Sequence, residues 1–376
     1  MRARTAAATT ATTLLGSAAA IAVAGRRGGR TALRPPARDA VPAGFRGGGL
    51  TVLAADPEHI TLTRTPDPVP PGRYAVTWAS GRAELGPPEP DTGTDGTPRR
   101  RLLRTVGGPP APGTRVTLTP QLHTGDPRTA LGIDFADTDI PAELGPLPAW
   151  FVPGPRDLWV IALHGLGSTR SFALNLLPFL TDLGVPVLVP AYRGDPGTRS
   201  APDRLSRLGA AEWRDADAAL RHAAAYGARR VALLGWSVGA TMALHTAARS
   251  PLHGRIAGLV LDSPVLHRAT TVRALAAERG VRRPLLPLAV AAAEGTAGPD
   301  SVPDLPRRPS GAPLPTLIAH GPDDRIAPWE PSRALAARHP EAVSTYVARR
   351  AGHAAVWNAD PAAYEEELRR FLTPLL

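Results

Sequence analysis

The chain contains no cysteine. That excludes disulfides, thiolate metal sites and a cysteine nucleophile, and it leaves the redox compartment unread. Lysine is absent as well, so all 43 basic residues are arginine; against 33 acidic residues they give a formal net charge of +10. An excess of this size marks nucleic-acid or anionic-surface binding where it clusters. Here the arginines are scattered along the whole chain, no basic helix is present, and aromatics, at 5%, form no stacking platform. The pattern speaks against a nucleic-acid partner. No grouping of residues calls for a metal or a cofactor.

What is present is room for one full-sized catalytic domain and something smaller, in 376 residues of which 43% are apolar. The 43 Pro and 37 Gly are weighted toward the first 155 residues. Residues Thr5 to Gly25 carry no charge, follow Arg2 and Arg4, and include Leu14, Leu15, Ile21 and Val23. As a helix such a run reaches roughly 30 Å, the thickness of a hydrocarbon core. Residues 1–25 therefore read as a membrane anchor with the catalytic domain outside. A cleaved signal ending near Ala22-Val23-Ala24, which would give a secreted protein, and a disordered tail are the alternatives. Arg26 and Arg27 follow at once and resist translocation.

Residues 26–45, rich in Gly, Arg and Pro without periodicity, read as a linker. From 46 to 130, short alternating stretches at Ile60–Thr63, Tyr74–Trp78 and Thr114–Leu118 between Pro- and Gly-rich turns predict a small β-rich extension, with Asp91–Arg101 as a polar loop. From 131 to 376 strand and helix alternate, the pattern of a mostly parallel sheet with helices on both faces. Buried strands are expected at Leu158–Leu163, Pro186–Val189, Arg230–Leu234, Ala257–Leu261, Thr316–Ala319 and Val343–Val347. Helices are expected at Ser171–Leu183, Ala210–Tyr226, Val238–Ala248, Pro331–Ala337 and Pro361–Leu372. Residues 265–313 interrupt the alternation as a Pro-rich insertion, either a cap over an active site or an extended loop.

Gly235-Trp236-Ser237-Val238-Gly239 follows a strand and opens a helix. That is the context of a nucleophile elbow, where small flanking residues let neighbouring backbone approach and leave the serine hydroxyl clear of the sheet. With such an elbow the chain order is serine, acid, histidine. His353, in the loop between the last strand and the last helix, is the expected base. His320 closes a strand, where it would shape the next turn. Asp324 is the expected acid, three residues after Gly321 and four before Pro328; Asp262, ending an earlier strand, is its competitor. Asp323 would shape the turn. The N–H groups of Val238 and Leu166 are the expected oxyanion donors, the latter in the turn His164-Gly165-Leu166-Gly167, which His164 would hold by hydrogen bonds. Arg193, in Tyr192-Arg193-Gly194-Asp195, faces the rim; pairing with Asp195 or a loop carbonyl is favoured over contact with an anionic substrate.

From about residue 145 to its end, on these motifs together with Leu261-Asp262-Ser263-Pro264 and Gly352-His353, the chain resembles the α/β-hydrolase superfamily. It is similar, more closely, to actinobacterial hydrolases that carry an N-terminal membrane segment and a β-rich extension. The resemblance implies a serine hydrolase acting on a small-molecule ester or acyl substrate. A serine peptidase or aminopeptidase-like amide hydrolase uses the same groups, and a catalytically idle envelope interaction protein is the reading from another class.

Overall fold

The structure is a computed structural model and describes residues 22–35, 41–46, 49–63, 70–89, 97, 99–297 and 302–376. Helix α1 (residues 22–33) buries Gly25, Gly28, Gly29, Ala32 and Leu33, the three-and-four spacing of a helix with one apolar face. This corrects the linker expected over 26–45. The periodicity escapes a reading by hydrophobicity because the buried face is built mainly of glycine and alanine. Its smallness has a purpose: a Cβ on Gly25 or Gly28 would stand 2.8 or 2.9 Å from the Cβ of Leu288 or Ala289. The expected anchor, residues 1–25, lies outside the described residues except for 22–25, the first turn of α1. Among the described residues no helix is long and apolar enough to cross a membrane.

Six strands then close a barrel: β1 (Gly49–Ala55), β2 (His59–Leu62), β3 (Tyr74–Trp78), β4 (Gly81–Pro88), β5 (Arg99–Val106) and β6 (Arg115–Thr119), in the order β1-β2-β5-β4-β3-β6. Pairing of Leu50 with Val116 closes the ring. Period-two alternation sends Leu50, Val52, Ile60, Leu62, Tyr74, Val76, Val116 and Leu118 into one core. Residues 99–101, expected in a loop, begin β5 because Arg100 is an interior residue. It is fully buried, its guanidinium donating to the carbonyls of Gly72 and Gly86 at 3.0 Å and to that of Pro70.

The second unit follows helix α2 (Pro127–Leu131) and begins with β7 (Ala136–Ile140), β8 (Leu147–Val152) and β9 (Leu158–Leu163). Next come α3 (Leu177–Asp182), β10 (Val187–Pro190), α4 (Trp213–Ala225), β11 (Arg230–Trp236), α5 (Val238–Arg249) and β12 (Ile256–Asp262). The expected insertion supplies α6 (Arg268–Glu278) and α7 (Leu286–Ala297), and the chain ends through β13 (Thr316–His320), α8 (Trp329–Arg338), β14 (Val343–Val347), α9 (Val356–Ala359) and α10 (Pro361–Leu372). One helix differs from expectation. The stretch from Ser171 is split into a 3-10 segment, Arg170–Asn175, and α3, since Pro178 offers no N–H to continue a longer helix and fits a first turn instead.

The sheet runs β14-β13-β12-β11-β9-β10-β8-β7; its pairs from β14 to β10 are parallel and the last two antiparallel. Every residue of β9 and β10 is buried, as expected of strands covered on both faces. Ile161 and Leu163 belong to the core under α4 and α5, while Leu158, Val160 and Ala162 belong to the core under α3 and α10. This α/β-hydrolase architecture places β9, β11, β12 and β13 side by side at the centre, with their carboxyl ends at one edge.

Two buried asparagines join barrel and sheet. Asn358 Nδ2, on α9, donates to the carbonyls of Arg73 and Pro120 at 2.8 and 2.7 Å, and its own backbone carbonyl accepts from Arg73 N at 2.8 Å. Asn175 accepts from Leu122 N at 2.9 Å and donates to Pro120 O at 2.8 Å. Gly72, at φ +98°, permits the contact, for a Cβ there would lie 2.0 Å from the Asn358 backbone carbonyl oxygen.

Candidate active site

The turn from β11 into α5 is tight enough to force Ser237 to φ 53°, ψ −115°, a conformation that a non-glycine residue keeps only under constraint from its surroundings. The constraint is visible at the flanking glycines. A Cβ on Gly239 would fall 2.0 Å from Leu163 O, and one on Gly235 would fall 2.3 Å from Gly239 C. Gly239→Ala must therefore push α5 off β9. We expect it to cost about 3 kcal/mol, at the upper end for an overfilled core, read as a clear drop in melting temperature; a variant melting with the wild type would refute this packing.

The strand ends bring three expected residues into one line. Ser237 Oγ lies 2.7 Å from His353 Nε2, and His353 Nδ1 lies 2.7 Å from Asp324 Oδ2. All three are buried, Ser237 at 4% and His353 at 3% exposure. Asp324 Oδ1 accepts from Ile326 N and Ala327 N at 2.8 and 2.9 Å. Burial alone would raise the Asp324 pKa, but the neighbouring His353 and His320 outweigh it and hold the carboxyl well below the usual range. A hydroxyl bonded to an imidazole whose other nitrogen meets a buried carboxylate can give up its proton when it attacks.

Asp262, the competing acid, ends β12 and makes no hydrogen bond to His353. Its Oδ1 accepts from Ser263 Oγ at 2.9 Å, while its Oδ2 faces the buried Tyr364 hydroxyl without closing a hydrogen bond of ordinary geometry. Burial pushes this carboxyl up to about 7. It nonetheless borders the line: Asp262 O accepts from Ser237 N at 2.8 Å, and Ser263 Oγ accepts from Ala354 N at 3.1 Å. Ser263 and Ala354 both have positive φ, 49° and 51°, so three constrained corners are tied together around His353.

Val238 follows Ser237, and Leu166 follows Gly165 in the loop that meets it; they are buried to 1% and 6% exposure, and among the described residues neither N–H has a hydrogen-bond partner. Gly165 lets this loop touch the elbow, since a Cβ there would come within 3.0 Å of the Ser237 Cβ. His164 holds the loop through Asp195 Oδ2 at 2.8 Å and Gly165 O at 3.1 Å, stacked on Tyr192. Arg193 does not pair with Asp195, which is taken by His164. Its guanidinium makes two bonds to Asp215, at 2.9 and 2.7 Å, and one to Glu143 at 3.0 Å. Asp323 accepts from Arg350 N at 2.9 Å and so ties the acid turn to the histidine loop.

Sequence reasoning missed the segment 41–46. It crosses the group so closely that a Cβ on Gly44 would lie 3.1 Å from the His353 Cβ, and one on Gly167 would meet Ala43 N at 3.2 Å. Glu278, at the end of α6, fastens it by accepting from Gly44 N and Arg46 N at 2.7 and 3.1 Å. A glycine in a short Pro- and Ala-containing stretch gives no sign of such a role, and Glu278 lies in the insertion 265–313, where the sequence predicts no helix.

With this geometry in view, two family models match the chain. One, described as a domain of unknown function, covers residues 51–119, the barrel strands; the other, described as the alpha/beta hydrolase fold, covers 159–289. The uncharacterized protein YfhR of Escherichia coli (strain K12) is 26% identical over 221 residues, 57% of this chain and 70% of the relative. The esterase Pf2001 of Pyrococcus furiosus is similar in structure, with a TM-score of 0.54 at 20% identity over 67% of this chain and 95% of that one. A second crystal form of the same esterase gives 0.53 over 67% and 96%. Sheet order, elbow and the family match from β9 to the start of α7 agree: the chain has the α/β-hydrolase fold.

Proposed function

We propose that this protein is a serine hydrolase that cleaves carboxylic esters through an acyl-enzyme. Ser237 attacks the carbonyl, His353 takes its proton and returns it to the leaving group, Asp324 orients the imidazole, and the Leu166 and Val238 N–H groups hold the oxyanion. The observation that carries the reading is the unbroken line Ser237 Oγ to His353 Nε2 and His353 Nδ1 to Asp324 Oδ2, both steps 2.7 Å. The esterase likeness in fold supports the ester over the amide.

A fluorophosphonate probe, followed by a panel of p-nitrophenyl esters and aminoacyl amides, tests it. Labelling at Ser237 with turnover of esters is expected; labelling with turnover of amides only moves the substrate class, and no labelling removes the enzyme. The pH profile gives a second reading. Burial pulls the His353 pKa down, but the charge and hydrogen bond of Asp324, with Asp262 and Glu278 adding to them, bring it above its ordinary 6.5. The base must be neutral to accept a proton, so kcat/KM falls as pH drops through that raised value. An acid limb centred above 6.5 is expected; one centred below it would contradict the assignment of His353.

A further inference from the structure

Asp324 does not serve one imidazole. Its Oδ2, which meets His353 Nδ1, also lies 3.1 Å from Nε2 of His320. That second ring is fully buried at the end of β13, set edge-on against Trp329, with its Nδ1 2.8 Å from Ser332 Oγ on α8. His320 Nε2 has one further neighbour, Ala327 O at 3.2 Å. Both groups facing Nε2, a carboxylate and a carbonyl, only accept. A hydrogen therefore sits on Nε2, and Nδ1 pairs with the Ser332 hydroxyl, which can donate or accept.

We infer that His320 is a positioning residue of the proposed hydrolase: by donating to Asp324 Oδ2 it withdraws part of the carboxylate's charge from His353 and sets how basic that imidazole is. With Ile326 N and Ala327 N on Oδ1, Asp324 is held by four donors, and the carboxylate plane is fixed before substrate arrives. Ser332 fixes the donor in turn. The other charged or titratable groups facing His353 are Asp262 at the end of β12 and Glu278 at the end of α6; neither bonds to it. The line thus runs Ser237, His353, Asp324, His320, Ser332, with only its first two members near enough to a substrate to touch it. A role confined to turn-shaping would need Ala327 O alone. Donation to the same oxygen that His353 uses is what links His320 to the base.

Two amide replacements separate the roles. His320→Gln can carry an NH2 to the position of Nε2, whereas His320→Asn is one methylene short and reaches only the position of Nδ1. The readout is the His353 titration followed by NMR of ring-labelled histidines, which does not require turnover, alongside the acid limb of kcat/KM. His320→Asn is expected to raise the His353 pKa by about one unit, the worth of one hydrogen bond to a charged group. His320→Gln is expected to leave it near the wild-type value, with kcat retained. Equal behaviour of the two variants, or no shift in either, would overturn the inference and leave His320 structural. Should His320→Asn not fold, the nitrogen shifts of wild-type His320 decide: a proton on Nε2 is expected, and one on Nδ1 instead defeats the proposal. Failure of the proposed function looks different, since wild type would then bind no fluorophosphonate while the His353 titration still reported on His320.

Discussion

Ser237→Ala is expected to lower ester turnover by about 10⁶-fold, the scale on which removal of a triad nucleophile acts, and to abolish fluorophosphonate labelling. Alanine keeps the Cβ and the φ of 53° that the elbow already imposes, and Gly165 already leaves space for a Cβ of that size. What is lost is Oγ and its bond to His353 Nε2. One buried acceptor is then left without a partner, which costs about 1–3 kcal/mol at most, so the variant should remain folded, with at most a modest drop in melting temperature. Measured turnover within a hundredfold of wild type, in a folded variant, would remove Ser237 as the nucleophile.

The two carboxylates should respond in opposite ways to amidation. Asp324 is surrounded by donors on both oxygens, two backbone N–H groups on Oδ1 and two imidazoles on Oδ2. An amide in its place must turn its NH2 toward one of these pairs. Either the turn 324–327 loses its bonds, or the NH2 meets His353 Nδ1 and forces the opposite tautomer, in which Nε2 carries the hydrogen and cannot accept one from Ser237. Asp324→Asn is therefore expected to slow turnover by about 10⁴-fold, as wrong-tautomer variants do. Asp262→Asn should stay within about tenfold, because Oδ2 has no ordinary hydrogen bond to lose and the Ser263 hydroxyl can rotate.

Its stability should change instead. The unfolded carboxyl loses its proton near 3.8 and the folded one near 7, so between these values the unfolded state binds fewer protons and wild-type stability falls as pH rises. Asp262→Asn lacks that loss and should gain on wild type from about pH 4 to about pH 8. Denaturation at the two pH values checks it; reversal of the kinetic effects would return the acid to β12.

The strands β9, β11, β12 and β13 were legible because each is a short apolar run between turn signals, and a strand covered on both faces needs no alternation; β14 lies where expected but, as an edge strand, buries Val343 alone. β7, Ala-Asp-Thr-Asp-Ile, was not legible: it is an edge strand in which Ile140 alone is buried. Helix α1 was illegible for a related reason, since glycine and alanine carry little hydrophobicity even where they are the contact. The serine and histidine followed from position relative to strand and helix. The acid remained open between Asp324 and Asp262 because both lie at the carboxyl ends of neighbouring strands, Asp262 as the last residue of β12 and Asp324 in the turn after β13, and only the direction of the His353 ring separates them. Arg193 has its nearest acid in sequence at Asp195, but it bonds to Asp215, twenty-two residues away, because His164 already occupies Asp195. Partners that come from another unit, as for Asn175, Asn358 and Gly44, leave no trace in local sequence.

The two asparagines bear on how the chain can be divided. The matched families stop at residue 119 and resume at 159, yet the groups that complete Asn175 and Asn358 belong to residues 73, 120 and 122. A fragment beginning at β7 would remove those partners and open both side-chain amides to water. A cut before residue 120 keeps every partner of Asn175 and one of the two carbonyls that Asn358 Nδ2 meets, and loses only the two bonds to Arg73. The residues between the two matched families therefore go with the sheet, and a division that respects these bonds falls before Pro120.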